Sequence, residues 1–125
     1  MFDHLSLGVR DLEAAGAFYD AVFAPLGAAK SLSKPTEIAY GPGGRTSLFW
    51  LYPVRGEQVA GLGAHVAFTA DSRTAVDAAY AAAVANGATV TRAAGLHPDI
   101  SADYYGTVFL DPDGNKIEIV AGTMH

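Results

Sequence analysis

Cysteine is absent from the 125 residues. That excludes disulfides and thiolate metal sites, so any metal would have to be taken by histidine, carboxylate or other oxygen ligands. Charge is scarce as well: Asp, Glu, Lys and Arg make up 17% of a chain that is half hydrophobic, a balance that excludes a disordered polymer. Basic residues are the scarcer sign, eight against thirteen acidic ones, for a net charge of −5. Such a chain has no electrostatic footprint for nucleic acid or an anionic membrane. No apolar run approaches the ~20 residues of a membrane span, and MFDHLSLGVRDLE lacks the basic and apolar regions of a secretory leader. The expectation is a soluble, cytoplasmic protein whose partners are small molecules, with one core at this length.

What the chain does contain is a repeat. DHLSLGVRDLEAAGAFYDAVFAPLGA from Asp3 matches AHVAFTADSRTAVDAAYAAAVANGAT from Ala64 at a shift of about sixty positions, setting His4 on His65, Tyr19 on Tyr80 and Ala21 on Ala82. Each segment opens as an alternating strand and continues as an amphipathic helix. Leu12, Ala15, Phe18, Tyr19 and Val22 form the apolar stripe of the first helix, with Asp11 as its cap and Pro25 and Gly27 as its end. In the second, Val76, Tyr80, Ala83 and Val84 are expected inside, Asp71 or Ser72 caps, and Asn86-Gly87 stops. Three short strands follow each helix, near 28–33, 37–41 and 46–52, then near 88–93, 104–110 and 115–121. The last turns are GPGGR and DPDGN; the first lacks the Lys-Ser/Thr and helix of a phosphate loop. The fold class is α+β, with βαβββ twice: module 1 over 1–54, a linker at 55–62 and module 2 over 63–121.

Alternation sorts the side chains by face. Leu5, Leu7 and Val9 oppose His4, Ser6 and Gly8; Val66, Phe68 and Ala70 oppose His65, Ala67 and Thr69; Ile117 and Ile119 oppose Glu118. One face in each case is bulky and apolar, suited to packing under a helix. The other is small or polar and carries one potential ligand. If those second faces meet, His4, His65 and Glu118 converge, and two imidazoles with one carboxylate leave open positions on iron(II), manganese or nickel, or on zinc in another geometry. The plainer reading makes the histidines structural and Glu118 a solvated residue beside Lys116. Phe49 and Trp50 must face opposite ways, and alternation alone does not say which lines the pocket. Ser6 and Thr69 share the pocket faces. His97, in a loop ahead of Tyr104 and Tyr105, is a candidate acid or base because histidine titrates near neutrality; its alternative is a loop residue before proline. One of the two tyrosines is expected in the core, the other with its hydroxyl on substrate. His125, at the terminus, is expected to be disordered.

DHLSLGVRDLEAAGAFYDAVFAPLG, HVAF at 65–68 and FLDPDGNKIEIV at the end together resemble the vicinal oxygen chelate superfamily, which includes glyoxalase I, extradiol dioxygenases, fosfomycin-resistance transferases and bleomycin-resistance proteins. The resemblance implies two βαβββ modules whose curved mixed sheet surrounds a central cavity. It also implies a divalent metal (Fe, Mn, Ni, Co or Zn) on His4, His65 and Glu118, and a homodimer in which the site lies within one chain or is shared. The departures matter equally. TSLFWLY at 46–52 has no carboxylate where glyoxalase I-type enzymes place a fourth-strand glutamate, residues 93–107 have no Lys or Arg for a phosphonate, and Val108 stands where extradiol dioxygenases tend to carry tyrosine. The expected function is a metal-dependent enzyme of lyase/isomerase or dioxygenase type, with Trp50 in the pocket. The alternative is a metal-free binder of drugs or metabolites.

Overall fold

Side chains that alternate in size specify strands only if one face has something to pack on, and here both helices supply it. The computed structural model describes residues 2–57, 59–61 and 63–122, so His125 lies outside the described residues, as do two positions of the expected linker. The order is β1 (Leu5–Val9), α1 (Leu12–Phe23), a 3₁₀ turn (Ala24–Leu26), β2 (Ala28–Lys34), β3 (Glu37–Pro42) and β4 (Phe49–Pro53). It continues with β5 (Val66–Thr69), α2 (Arg73–Ala85), β6 (Thr89–Leu96), β7 (Tyr105–Leu110) and β8 (Lys116–Ala121). Two four-stranded mixed sheets result, ordered β1-β4-β3-β2 and β5-β8-β7-β6, each with a parallel pair between its first and last strand.

The caps are those the sequence offers. The Asp11 side chain accepts from the Ala14 N–H, and of the two candidates for α2 it is Ser72 that accepts from the Ala75 N–H. In α1 the buried line is Ala15, Phe18, Tyr19, Val22 and Phe23. In α2 it is Val76, Ala79 and Ala83, while Tyr80 is only half-buried and Val84 is exposed. The expectation for Val84 fails because the inward line follows steps of three and four from Val76, and Val84 lies one further ~100° turn of the helix away.

β4 starts at Phe49 rather than 46. The backbone of 44–48 folds back over Gly41, where an added Cβ would stand 1.7 Å from the Thr46 carbonyl oxygen. That crossing makes Gly41 obligatory and keeps Thr46 out of the ladder, and pairing resumes only where the Leu48 N–H reaches the Tyr40 carbonyl at 2.9 Å.

The helices pack on each other and on the inner faces of the sheets, and the two halves share one core. Phe23 of α1 meets Phe68 of β5 edge-on at 4.9 Å and Phe49 of β4 at 5.4 Å; Phe18 meets Phe109 at 6.1 Å. Each such ring removed from water contributes roughly 1.5–3 kcal/mol. A polar seam joins the halves as well. The buried Asp111 carboxylate accepts the Tyr19 hydroxyl at 2.7 Å, the Asn115 amide at 3.0 Å and the Asp113 and Asn115 backbone N–H groups at 2.9 Å. Asn115 also donates to the Gly8 carbonyl, and the Arg10 N–H donates to Asp113. Burial first, then the charge and bond of Asp111, push the Tyr19 phenol well above its ordinary range, so it stays a donor.

Candidate functional site

The registers of the two sheets superimpose the halves residue by residue. Leu5 pairs with Phe49 and Ser6 with Trp50; Val66 pairs with Ile117 and Ala67 with Glu118. Trp50 is therefore the first half's counterpart of Glu118. Both second strands also slip at the same place, between Lys30 and Leu32 and between Val90 and Arg92.

Phe49 and Leu51 are buried in the core, which turns Trp50 and Tyr52 to the face the helices leave open. With Leu48 and Val54, which flank the strand, they make a row of large apolar side chains, and Leu48, Tyr52 and Val54 are each more than a third exposed. The rings of Trp50 and Tyr52 stand parallel, 6.0 Å apart between centroids and tilted by 6°; the His4 ring lies edge-on to Trp50 at 6.4 Å. The indole N–H is fixed on the Ser47 carbonyl at 3.0 Å, so the ring presents apolar surface.

The open face of the second sheet is chemically different. Ile117 and Ile119 are fully buried beneath it, and Glu118, between them, points out with its side chain only 15% exposed. A carboxylate that far from water needs partners. The Tyr104 hydroxyl donates to Oε1 at 2.8 Å, and the His65 Nε2 lies 3.6 Å from Oε2. That second distance is too long for a hydrogen bond. It fits two ligands of one ion, since donors held about 2.0–2.2 Å from a tetrahedral metal stand roughly 3.4 Å apart. Burial first, then the bond to Glu118, push the Tyr104 phenol up, so it too remains protonated and donating.

The sequence candidates divide accordingly. His65, Glu118 and Tyr104 come together. His4 does not join them; its Nδ1 is bonded to Asp3 at 2.6 Å, and among the described residues no three His, Asp or Glu side chains form a metal-binding group. His97 packs its ring on Tyr104 at 5.8 Å with Nε2 on the Ala93 carbonyl at 2.9 Å, which makes it a support of that tyrosine. Tyr105 turns the other way, toward α2: its hydroxyl donates to Asp77 at 2.7 Å and Arg73 lies over its ring, so it does not reach the Glu118 face. The two tyrosines do not divide into a core ring and a free hydroxyl: Tyr104 is fully buried with its hydroxyl bonded to Glu118, and the Tyr105 hydroxyl is bonded to Asp77. Ser6 lines one cavity with His65, and Thr69 lines another with Phe49 and Phe68.

Two features of the site went unread in the sequence: the unbroken apolar row at 48, 50, 52 and 54, and the reach of Tyr104 to Glu118. The second had a signal. A lone glycine inside a strand marks a close approach, and at Gly106 an added Cβ would stand 2.7 Å from the Tyr104 hydroxyl.

The sequence matches the model of the Glyoxalase/Bleomycin resistance protein/Dioxygenase superfamily over residues 1–119. Among solved structures it is 32% identical to a glyoxalase/bleomycin resistance protein from Albidiferax ferrireducens, with 98% of this chain and 99% of that one covered and a TM-score of 0.83. A glyoxalase/bleomycin resistance protein/dioxygenase family enzyme from Burkholderia phytofirmans is 23% identical over 94% and 95%, TM-score 0.71. The fosfomycin resistance protein FosX from Listeria monocytogenes is 22% identical over 99% and 94%, TM-score 0.73; these two likenesses are of fold. No curated protein matches. Among the described residues no helix is long and apolar enough to cross a membrane.

Proposed function

The chain belongs to the glyoxalase/bleomycin resistance protein/dioxygenase superfamily, and from that premise we propose that it is a divalent-metal-dependent enzyme acting on a small substrate with two adjacent oxygens, by lyase/isomerase or dioxygenase chemistry. The observation that carries this is the His65–Glu118 pair, 3.6 Å apart on an open face with the far carboxylate oxygen already held by Tyr104. An imidazole and a carboxylate in that spacing suit a borderline cation. A bound metal would supply Lewis-acid polarisation of the two substrate oxygens. The chain's own residues supply the rest: Glu118 and His65 would hold the ion, and Trp50 and Tyr52, on the open face of the other sheet, offer an apolar wall that a second copy would bring to it.

A third protein ligand has to come from beyond this cluster, and His4 is the one the repeat designates. Within one chain it stands over Trp50, so the reading calls for a second copy, its first half facing this chain's second half. The exposed apolar row of β4 supports that, because a half-exposed strip of Leu48, Tyr52 and Val54 is costly to leave in water.

A second reading has its own observation. Trp50 occupies the position of Glu118's counterpart, which removes the fourth-strand carboxylate and leaves an aromatic surface, as a metal-free binder of planar compounds would require. One experiment separates the two: elemental mass spectrometry of protein purified without a metal-affinity tag and reconstituted with Fe, Mn, Ni, Co and Zn. About one tightly held ion per chain is expected; no ion under any of these conditions overturns the enzyme reading in favour of the binder.

A further inference from the structure

We propose that Tyr104 is a positioning residue that gives the two oxygens of Glu118 different tasks, holding Oε1 so that Oε2 alone is offered to a divalent ion beside His65. The proposal rests on the metal-dependent reading above. A carboxylate on a strand is free to rotate about its last torsion and to take a metal through one oxygen or through both. Here that choice is made before any ion arrives. The phenol is fully buried and donates to Oε1 at 2.8 Å, while Oε2 is the oxygen turned to His65 at 3.6 Å.

The surroundings are built for this reach. Tyr104 precedes β7, and its register neighbours place Val108, not Tyr104, opposite Glu118. The phenol arrives by crossing Gly106: an added Cβ there would stand 2.7 Å from the hydroxyl oxygen, 2.8 Å from Cζ and 2.7 Å from the Ile119 carbonyl oxygen, so any other residue forces the ring or the neighbouring strand to shift. On its other side the ring meets His97 edge-on at 5.8 Å. The Tyr104 backbone is pinned at both ends, its carbonyl accepting from the His97 N–H and its N–H donating to the Ser101 carbonyl, each at 3.2 Å. The loop ahead of β7 thus clamps one hydroxyl on one carboxylate oxygen. A ligand held to one oxygen fills one coordination position instead of two and leaves more of the ion open to substrate.

The probe is Co²⁺ alone, followed by titration calorimetry and by its visible absorption, which weakens as coordination number rises. Tyr104→Phe keeps the ring and removes the donor; it is expected to lower Co²⁺ affinity roughly 10–100-fold, the usual effect of losing an outer partner, and to weaken the visible bands as the freed oxygen also binds. His97→Ala, which unclamps the ring, gives a smaller loss in the same direction, and Tyr105→Phe leaves both readouts unchanged. If Tyr104→Phe binds Co²⁺ with wild-type affinity and spectrum while Glu118→Gln loses it, the positioning role is wrong and the metal reading stands. If wild type takes no Co²⁺ at all, both fall. Should Tyr104→Phe not fold, His97→Ala decides, and unaltered binding there overturns the proposal.

Discussion

The two halves share a backbone and differ in what they show to the outside. Ser6 faces Trp50 in one sheet as Ala67 faces Glu118 in the other, with the same parallel pairing and the same slip in the second strand. Yet one open face carries Leu48, Trp50, Tyr52 and Val54, and the other carries His65, Glu118 and the Tyr104 hydroxyl. The inner faces have not diverged in this way: Phe49 and Leu51 match Ile117 and Ile119, all buried and apolar. The lesson is that a core constrains its side while the uncovered side is free to specialise, one half toward a wall and the other toward ligands.

The first way to break the comparison is at the seam that joins the halves. Asp111→Ala leaves the Tyr19 hydroxyl, the Asn115 amide and two backbone N–H groups without their acceptor. At about 1–3 kcal/mol for each buried group left unsatisfied, with some relief from water, the expected loss is roughly 3–5 kcal/mol, read as the urea midpoint at unchanged slope. Next comes the contrast between counterparts. Glu118→Gln should lower metal affinity by roughly 100-fold or more, since a direct ligand matters more than the 10–100-fold of an outer partner; Trp50→Leu should leave it within roughly 2-fold and instead weaken binding of planar compounds. Calorimetry on both variants checks this, and equal losses would mean the halves are not chemically distinct.

The helix caps sharpen the likeness rather than the difference. Asp11→Ala and Ser72→Ala each remove one bond to the third residue onward, at 3.0 and 3.1 Å, and each should cost about 1 kcal/mol in thermal or urea unfolding. The smallest effect is at Asp113, whose carboxyl burial pushes above the ordinary 3.8, with the Arg10 backbone bond opposing. The folded state then holds this proton more tightly than the unfolded chain, so stability falls as pH rises from 3.8 through the raised folded value and is level above it. Asp113→Asn keeps an acceptor for the Arg10 N–H at 2.7 Å and should be slightly more stable than wild type at pH 7 and equal to it below that window. A variant less stable at pH 7 would show that the Arg10 charge outweighs burial.

The element order was legible because it rests on local rules: alternation for strands, three-and-four spacing for helices, Asp, Ser and Gly at their ends. So was the outward aim of Glu118 between two isoleucines. What failed locally failed for a geometric reason, as at Val84, or because two distant backbones cross, as Thr46 crosses Gly41. The orientation of Phe49 and Trp50 waited on knowing which face the helices cover. Of the candidate site, the juxtaposition of His65 and Glu118 was legible. His65 immediately precedes β5 and Glu118 lies on β8, its parallel partner, and pairing in a repeat can be inferred; the separation of His4 from them depends on how the two sheets are set against each other, which no periodicity encodes.

The seam has a consequence in time. Tyr19 reaches Asp111 across 92 positions, Arg10 reaches Asp113 across 103 and Gly8 receives Asn115 across 107. Contacts of such separation come late, because their closure entropy is met before they contribute anything. During synthesis the first strand and helix therefore leave the ribosome long before the turn that fastens them, and the first half spends that interval with Phe18, Phe23 and Phe49 lacking the rings of Phe109 and Phe68 that they pack on in the finished fold. A chain built this way is most exposed to wrong partners while it is still unfinished.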